Sequence, residues 1–157
     1  KQMRPHFAEL GEIEGVFRNV KRFENAVVRE DLLIVRFDAS VNFANHRFLN
    51  SSIKNLIDAR KGKVETIILC AESIGYIDAS GLGGLENLID DLEKRGIDFR
   101  LSAAIGPVRD VIGTSELMNK IGKTRCFTSI ATAIEDIDNP GSLGEGLRKI
   151  ATQESKE

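Results

Sequence analysis

Residues 66–96 decide the fold, and they read TIILCAESIGYIDASGLGGLENLIDDLEKRG. The stretch begins with a continuous apolar run, Thr66 to Ala71, which predicts a strand buried on both faces. A helix is predicted from about Ser80 to Arg95, because apolar side chains recur there at the 3.6-residue period, at Leu82, Leu85, Leu88, Ile89 and Leu92. Gly96 ends that helix. A buried strand followed by an amphipathic helix is typical of α/β folds.

The same alternation continues on both sides of this stretch. Further strands are predicted at residues 15–20, 26–29, 32–37, 98–103 and 125–127. Further helices are predicted at residues 45–60, 107–112, 115–121 and 130–137, the first of them with Asn45 as its N-cap. Because strands and helices alternate, we expect an α/β fold whose sheet is largely parallel.

The chain of 157 residues has the length of one domain. Residues 1–14 are mixed and polar and predict an extended lead-in, so the folded domain is expected over residues 15–139. Pro140-Gly141 breaks the last helix, and residues 140–157 predict a polar, partly disordered tail. Within that tail, apolar side chains could support a loose helix, namely Leu143, Leu147 and Ile150.

Composition excludes several classes of protein. The net charge of −2 and the pI of about 5.8 give no basic face for nucleic acid. No apolar run is long enough to span a membrane and no signal peptide is present, so we expect a soluble fragment. The opening Lys1-Gln2-Met3 fits a piece of a longer protein. Cys70 and Cys126 lie in apolar runs, which predicts two reduced core thiols.

The residue patterns of common enzyme sites are not met. Gly122-Lys123-Thr124 is similar to the end of a phosphate-binding loop, but Leu117 stands where that loop requires glycine. Ser80 lacks the flanking glycines of a hydrolase nucleophile elbow. The histidines, His6 and His46, are expected on the surface, and no Cys/His cluster suggests a metal. We therefore expect no catalytic residue, no metal and no tightly held cofactor.

One segment remains unusual, Asp78-Ala79-Ser80-Gly81-Leu82-Gly83, which joins the buried strand to the helix. Free N–H groups at the helix start could meet a ligand or partner, because ligands of open α/β sheets bind beyond the carboxyl ends of the strands. Alternatively, the segment is a capped turn whose glycines let the helix lie close to the sheet. The cap itself could be Ser80, or Asp78 one turn earlier.

Three segments carry a family resemblance. Asp78 to Leu82 resembles the signature loop of STAS domains, which sulfate transporters share with anti-sigma factor antagonists. Glu9 to Phe23 is similar to the segment that follows the last membrane helix in sulfate-permease-type anion transporters. Leu33 to Asn45 resembles the next strand and helix start of those transporters. The resemblance covers roughly residues 7 to 138, with the segments in order and at the right spacing.

The resemblance implies a small mixed, mostly parallel sheet flanked by α-helices, with residues 1–14 leading in from the last membrane helix. It implies a non-catalytic regulatory domain at the cytoplasmic face of a bacterial inner membrane. Implied partners are the transmembrane domain of its own transporter, a second copy in a transporter homodimer, or a soluble regulatory protein. Some relatives resemble nucleotide binders, so weak guanine or adenine nucleotide binding is a further expectation at residues 80–83.

A free-standing partner-switching protein of the antagonist type is the alternative. In that type, the phosphorylated serine or threonine usually follows the aspartate directly, whereas this sequence has Ala79 there. Ser80 matches the second hydroxyl position, which we expect to cap the helix. It is therefore the remaining candidate for phosphorylation in this loop.

Overall fold

The computed structural model describes residues 5–152, which contain six strands and six α-helices. The strands are β1 His6–Ile13, β2 Val16–Asn19, β3 Leu32–Asp38, β4 Thr66–Cys70, β5 Asp98–Ser102 and β6 Cys126–Phe127. The helices are α1 His46–Ala59, α2 Ala79–Lys94, α3 Gly106–Gly113, α4 Glu116–Ile121, α5 Ile130–Asp138 and α6 Glu145–Thr152, and a short 3-10 turn, Lys123–Arg125, precedes β6. The predicted alternation of strands and helices is confirmed from β3 onward.

The strands form one mixed sheet in the order β2-β1-β3-β4-β5-β6. Strands β3 to β6 run parallel, whereas β1 pairs antiparallel with both β2 and β3. The expected fold class, a mixed and mostly parallel sheet flanked by helices, is confirmed. Because β3, β4 and β5 are parallel, their carboxyl ends lie side by side. We call this row of strand ends the carboxyl edge, and the opposite row, where these strands begin, the amino edge.

Period-two alternation divides the core between the two faces of the sheet. On β3, Leu33, Val35 and Phe37 join the cluster packed against α1, α2 and α4. The intervening Leu32 and Ile34 join a second cluster, which α5 covers on the opposite face. Each fully buried side chain of this kind contributes about 1.5 to 3 kcal/mol to folding. The sheet and its two helical layers therefore form a rigid support for the loops at the carboxyl edge.

The N-terminal boundary of the domain differs from the prediction of a lead-in over residues 1–14. Strand β1 begins at His6 and lies inside the sheet, between β2 and β3. The sequence of this strand looks polar because it contains Glu9. In the structure, this side chain faces α1, and Arg60 donates a 2.6 Å hydrogen bond to its carboxylate. The predicted boundary falls in the two-residue turn between β1 and β2, where Glu14 and Gly15 both have positive φ, as tight hairpins require.

Two other predicted segments also differ. No strand forms over residues 26–29, because only Val27 pairs, through a single bridge to Glu12. The predicted tail contains α6, which packs against β6 and is tied to α5 by a 2.9 Å ion pair from Arg148 to Asp136. The apolar spacing that suggested a loose helix thus produces a docked one, and residues 153–157 lie outside the described residues.

Both cysteines are buried and free, as predicted. Burial raises the pKa of the Cys126 thiol to about 11 and also raises that of Cys70, because the charged thiolate would lose its hydration. Neither thiol is therefore activated as a nucleophile at neutral pH.

Candidate interaction site at the carboxyl edge

Two loops at the carboxyl edge are joined by backbone hydrogen bonds. Val41, in the loop after β3, forms a parallel bridge with Ile77, in the loop after β4. Val41 N donates to the carbonyl of Tyr76 at 3.0 Å, and Asp78 N donates to the carbonyl of Val41 at 3.1 Å. Val41 and Ile77 are both buried. The bridge therefore extends the β3–β4 pairing into the loops and fixes the start of α2 relative to the loop before α1.

Asp78 is the N-cap of α2, so the expectation that Ser80 caps the helix is wrong. One carboxylate oxygen of Asp78, Oδ1, accepts a 2.7 Å hydrogen bond from Gly81 N. The other, Oδ2, accepts one from Phe43 N at 3.2 Å. One carboxylate thus satisfies a free N–H of α2 and also holds the loop that leads into α1.

Asn45 stands at the N-cap position of α1, as predicted, but its side chain makes no capping hydrogen bond. Its amide nitrogen donates to the carbonyl of Ser40 at 2.7 Å, and its Oδ1 accepts from Asn42 N at 2.9 Å. Asn45 is buried in the process. The side chain therefore closes the loop between β3 and α1 and leaves the first N–H groups of α1 without a side-chain cap.

The glycines of the loop have different roles. At Gly81, a Cβ atom would lie 2.7 Å from the carbonyl carbon of Val41 and nearer still to its oxygen, so only glycine fits there. At Gly84, a Cβ would lie 2.5 Å from Nδ1 of His46, so glycine lets the imidazole pack on the helix. At Gly83, nothing lies within 4 Å of the added atom. Close packing accounts for the first two glycines, and Gly83 faces open space.

Both histidines lie at this edge; His6 is exposed, as predicted, whereas His46 is less exposed than predicted. His46 is half-buried, and its Nδ1 is buried without a hydrogen-bond partner among the described residues. His6 lies beside Asp38, with 2.7 Å between His6 Nδ1 and Asp38 Oδ2, and Arg36 donates to the same carboxylate. Burial opposes ionisation of Asp38, but the hydrogen bonds from Arg36 and His6 outweigh it and lower the pKa of this carboxyl.

The outward surface of the site combines small and aromatic side chains. Ala79 and Ser80 are exposed at the start of α2, and no described residue hydrogen-bonds the hydroxyl of Ser80. Beside them, Phe43 is 73% exposed and Tyr76 is 56% exposed. Neither aromatic residue was among the predicted site residues. A usable signal existed, because each stands in a loop directly after a predicted buried strand, where an apolar side chain has no core to enter.

Three helix N-termini contribute partial positive charge to the site. Helices α1, α2 and α3 all begin at the carboxyl edge, and none carries an acidic residue in its first turn. The carboxylate of Asp78 already caps α2, so the partial positive ends of α1 and α3 are the ones left to favour carboxylate or carbonyl oxygens on a partner. Among residues 5–152, no group of three or more His, Cys, Asp or Glu side chains could hold a metal ion. Nor does any described helix combine the length and apolarity needed to cross a bilayer.

The fold and the site define a class: an α/β domain with a mixed sheet, whose Asp-x-Ser-Gly loop starts the helix after the second parallel strand. The sequence profile of the STAS domain matches residues 24–133. The chain belongs to the STAS domain family.

Similar proteins include sulfate and anion transporters as well as an anti-sigma factor antagonist. Sulfate transporter 3.2 of Arabidopsis thaliana is 29% identical over 145 residues, which cover 86% of this chain and 22% of that protein. The murine Solute Carrier 26 family member A9 anion transporter, in its inward-facing state, matches with a TM-score of 0.79 and 20% identity over 87% of this chain and 22% of the transporter. The unphosphorylated anti-sigma factor antagonist SpoIIAA matches with a TM-score of 0.57 and 21% identity over 75% of this chain and 96% of its own.

These likenesses confirm the predicted family and fold. The chain spans about a fifth of the length of the transporters it matches, and nearly the whole of the antagonist. The structural matches, at or below 21% identity, establish the shared fold.

Proposed function

We propose that this chain is the cytoplasmic regulatory and interaction domain of a bacterial sulfate-permease-type anion transporter, and that it is non-catalytic. This proposal rests on the membership of the chain in the STAS domain family and on its similarity to sulfate transporters over most of its length. The geometry at the carboxyl edge supports an interaction role, because a rigid loop there presents exposed aromatic side chains.

The side chains around the signature loop also support a non-catalytic role. Acyl or phosphoryl transfer by a serine requires a neighbouring base, and no described residue hydrogen-bonds the hydroxyl of Ser80. Asp78 is occupied by two backbone N–H groups, so its carboxylate serves the fold. The loop therefore offers a recognition surface and lacks a nucleophile paired with a base.

The first test is genetic. Sequencing the gene upstream of the Lys1 codon is expected to reveal several hydrophobic segments of about 20 residues each. The full-length protein, expressed in a bacterium that lacks its own sulfate uptake, is then compared with a Leu88→Asp variant. Leu88 is fully buried, so the variant unfolds this domain, and uptake of labelled sulfate or another tested anion should fall. A gene without membrane segments, or uptake unchanged by the variant, would contradict the proposal.

A second candidate function is partner switching by phosphorylation of Ser80. It is favoured by the exposure of this hydroxyl, which does not cap the helix and is therefore accessible to a kinase. A phosphate at this position would lie in the first turn of α2, where negative charge is favourable. Intact-mass and peptide mass spectrometry of the protein from its native cells should detect the phosphoserine. Complete absence of phosphate at Ser80 across growth conditions would remove this candidate.

Weak nucleotide binding at residues 80–83 stays a separate prediction. Gly81 packs on Val41 and its N–H is bonded to Asp78, so the N–H groups of Ala79 and Ser80 are left to face a phosphate. Gly83 adds open space, because it has no side chain. Calorimetric titration with GDP, GTP and ATP at millimolar concentration tests this prediction directly. Heat that is lost in a Gly83→Glu variant would support binding at the helix start, and the absence of heat would exclude it.

A further inference from the structure

We propose that the carboxyl edge, through Phe43 and Tyr76, is the surface that docks on the membrane part of the same polypeptide. This inference rests on the proposed function and names the surface through which it works. Phe43 and Tyr76 are the two exposed aromatic side chains beside the start of α2. Large aromatic side chains held in water are typical of the anchors that dominate protein interfaces.

The two aromatic residues are held in place before any partner binds. Phe43 N donates to Asp78 Oδ2, and the carbonyl of Tyr76 accepts from Val41 N. The backbone at both positions is thus fixed by hydrogen bonds to a second loop. Because little backbone ordering is required on association, more of the contact energy is available for affinity.

The direction in which the chain reaches the domain identifies the occupant. Strand β1 runs antiparallel to β3, so its first residue, His6, pairs with Asp38 at the carboxyl end of β3. A membrane part that precedes this domain in a longer chain would therefore join it at the carboxyl edge, and each residue of such a tether spans at most about 3.5 Å. A membrane part joined through this tether is held at high effective concentration next to the aromatic residues. Matched transporters have such additional length, since the chain covers 22% of them.

The charge of the edge indicates what the docking segment carries. Helices α1, α2 and α3 present their N-termini here with no acidic residue in the first turn. A complementary segment would place apolar side chains over Phe43 and Tyr76. It would place a carboxylate, or the carbonyls of a helix C-terminus, against the start of α1, which has no side-chain cap, because Asp78 already occupies the start of α2.

The amino edge provides a matched control. Val27 is 68% exposed, close to the exposure of Phe43, and it is bonded to Glu12, at the far end of β1 from His6. A photo-crosslinking amino acid, benzoylphenylalanine, is placed at position 43, 76 or 27 of the full-length protein in its native membrane. All three side chains are exposed, so the substitutions leave the core intact. After irradiation, linked peptides are identified by mass spectrometry.

We expect positions 43 and 76 to become linked to peptides of the membrane part. We expect no such linkage from position 27. A Phe43→Ser/Tyr76→Ser double variant should lower anion uptake, whereas Val27→Ser should leave it unchanged. Linkage at 27 alone would overturn the inference, as would linkage from 43 and 76 only to lipid, to a second copy of this domain or to a separate soluble protein. If Leu88→Asp abolishes uptake while the double variant does not, the proposed function stands and the docking surface fails.

Discussion

The two edges of the sheet satisfy their polar groups by different means. At the amino edge, the guanidinium of Arg60 donates to the carbonyls of Arg29 and Leu32 and to the carboxylate of Glu9, at 2.9, 2.8 and 2.6 Å. Arg29 in turn pairs with Asp31 and Asp138. At the carboxyl edge, backbone groups bond to each other across the Val41–Ile77 bridge, with Asp78 as the carboxylate that caps α2.

This difference separates stability from recognition. Ion pairs at the amino edge occupy long charged side chains and leave few of them free for a partner. Backbone bonding at the carboxyl edge fixes the loops while leaving Phe43, Tyr76 and Ser80 exposed. Substitutions of backbone-packing positions at the carboxyl edge should therefore unfold the domain, and substitutions of its exposed side chains should leave stability unchanged.

The largest effect is expected from Gly81→Ala. Its methyl group would overlap the carbonyl of Val41, which is part of the bridge and has no room to move. We expect a loss of about 3 kcal/mol in the free energy of unfolding, measured by urea denaturation. Gly83→Ala is the matched control: its methyl group meets nothing within 4 Å, and removing glycine from a helix should raise stability by up to about 1 kcal/mol. Equal effects of the two substitutions would show that the loop does not pack as described.

Arg60→Ala should have the next largest effect and tests the amino edge. The substitution leaves Glu9 without its cation and removes the hydrogen bonds that Arg60 donates to the carbonyls of Arg29, Glu30 and Leu32. The side chains of Arg60 and Glu9 are both less than one fifth exposed. We expect a loss of about 2 kcal/mol, with anion uptake by the full-length protein unchanged under conditions where the domain stays folded. Arg60→Lys should recover only part of this loss, because an ammonium lacks the fork that reaches several acceptors. A fall in uptake without loss of stability would assign recognition to the amino edge as well.

The contrast between the edges also shows what sequence patterns predict. The parallel strands and the helices between them were predictable, because Leu32 to Val35 and Ile67 to Ala71 are continuous apolar runs and the helices keep a 3.6-residue period. Strand β1 was missed, because Glu9 looks solvent-facing until Arg60, which is 51 residues away, is brought beside it. A local pattern contains no information on such a distant partner.

The site could be predicted only in part, because some of its contacts also join residues that are far apart in the sequence. The turn from β4 into α2 lies where it was predicted, and Asp78 was one of the two predicted caps. The role of Asp78 to Gly83 as an interaction site stays a prediction. The sequence could not decide between Asp78 and Ser80, since the second oxygen of Asp78 is held by Phe43, on another loop. The charged side chains on the outer face of α2 also pair with distant residues of other helices, in Lys54–Asp91, Arg95–Asp58 and Lys120–Asp90.

Asp78→Ala should cost about 1 kcal/mol, the usual value of a helix N-cap. The substitution frees Gly81 N and Phe43 N, so it loosens the start of α2 and the loop before α1 together. Amide hydrogen exchange should therefore speed up in both segments. Asp78→Asn keeps one acceptor oxygen and should retain most of the stability. If only α2 became faster in exchange, the aspartate would not couple the two loops.

The acid stability of the domain should depend on Asp38 more than on Asp31. Hydrogen bonds from Arg29 lower the pKa of Asp31 at the amino edge, and that of Asp38 is lowered at the carboxyl edge. A lowered pKa means that the stabilisation is present above about pH 4, the value for an unfolded chain, and is lost as the pH falls below it. Asp38 is the less exposed carboxyl, 25% against 42%, so solvent screens its interactions less. The difference in urea midpoint between pH 7 and pH 3 should shrink more for Asp38→Asn than for Asp31→Asn, and the reverse order would contradict this account.

The smallest effect is expected from Ser80→Ala, which should change the free energy of unfolding by less than about 0.5 kcal/mol. The hydroxyl is exposed and Asp78 already caps the helix, so its removal leaves no polar group unsatisfied. Ser80→Glu should be neutral or slightly stabilising, because a carboxylate in the first turn interacts favourably with the helix dipole. Thermal unfolding of the three proteins side by side measures both differences. A loss above about 1 kcal/mol for Ser80→Ala would mean that the hydroxyl is engaged in the fold as a cap normally is, and a hydroxyl so engaged is a poor phosphate acceptor.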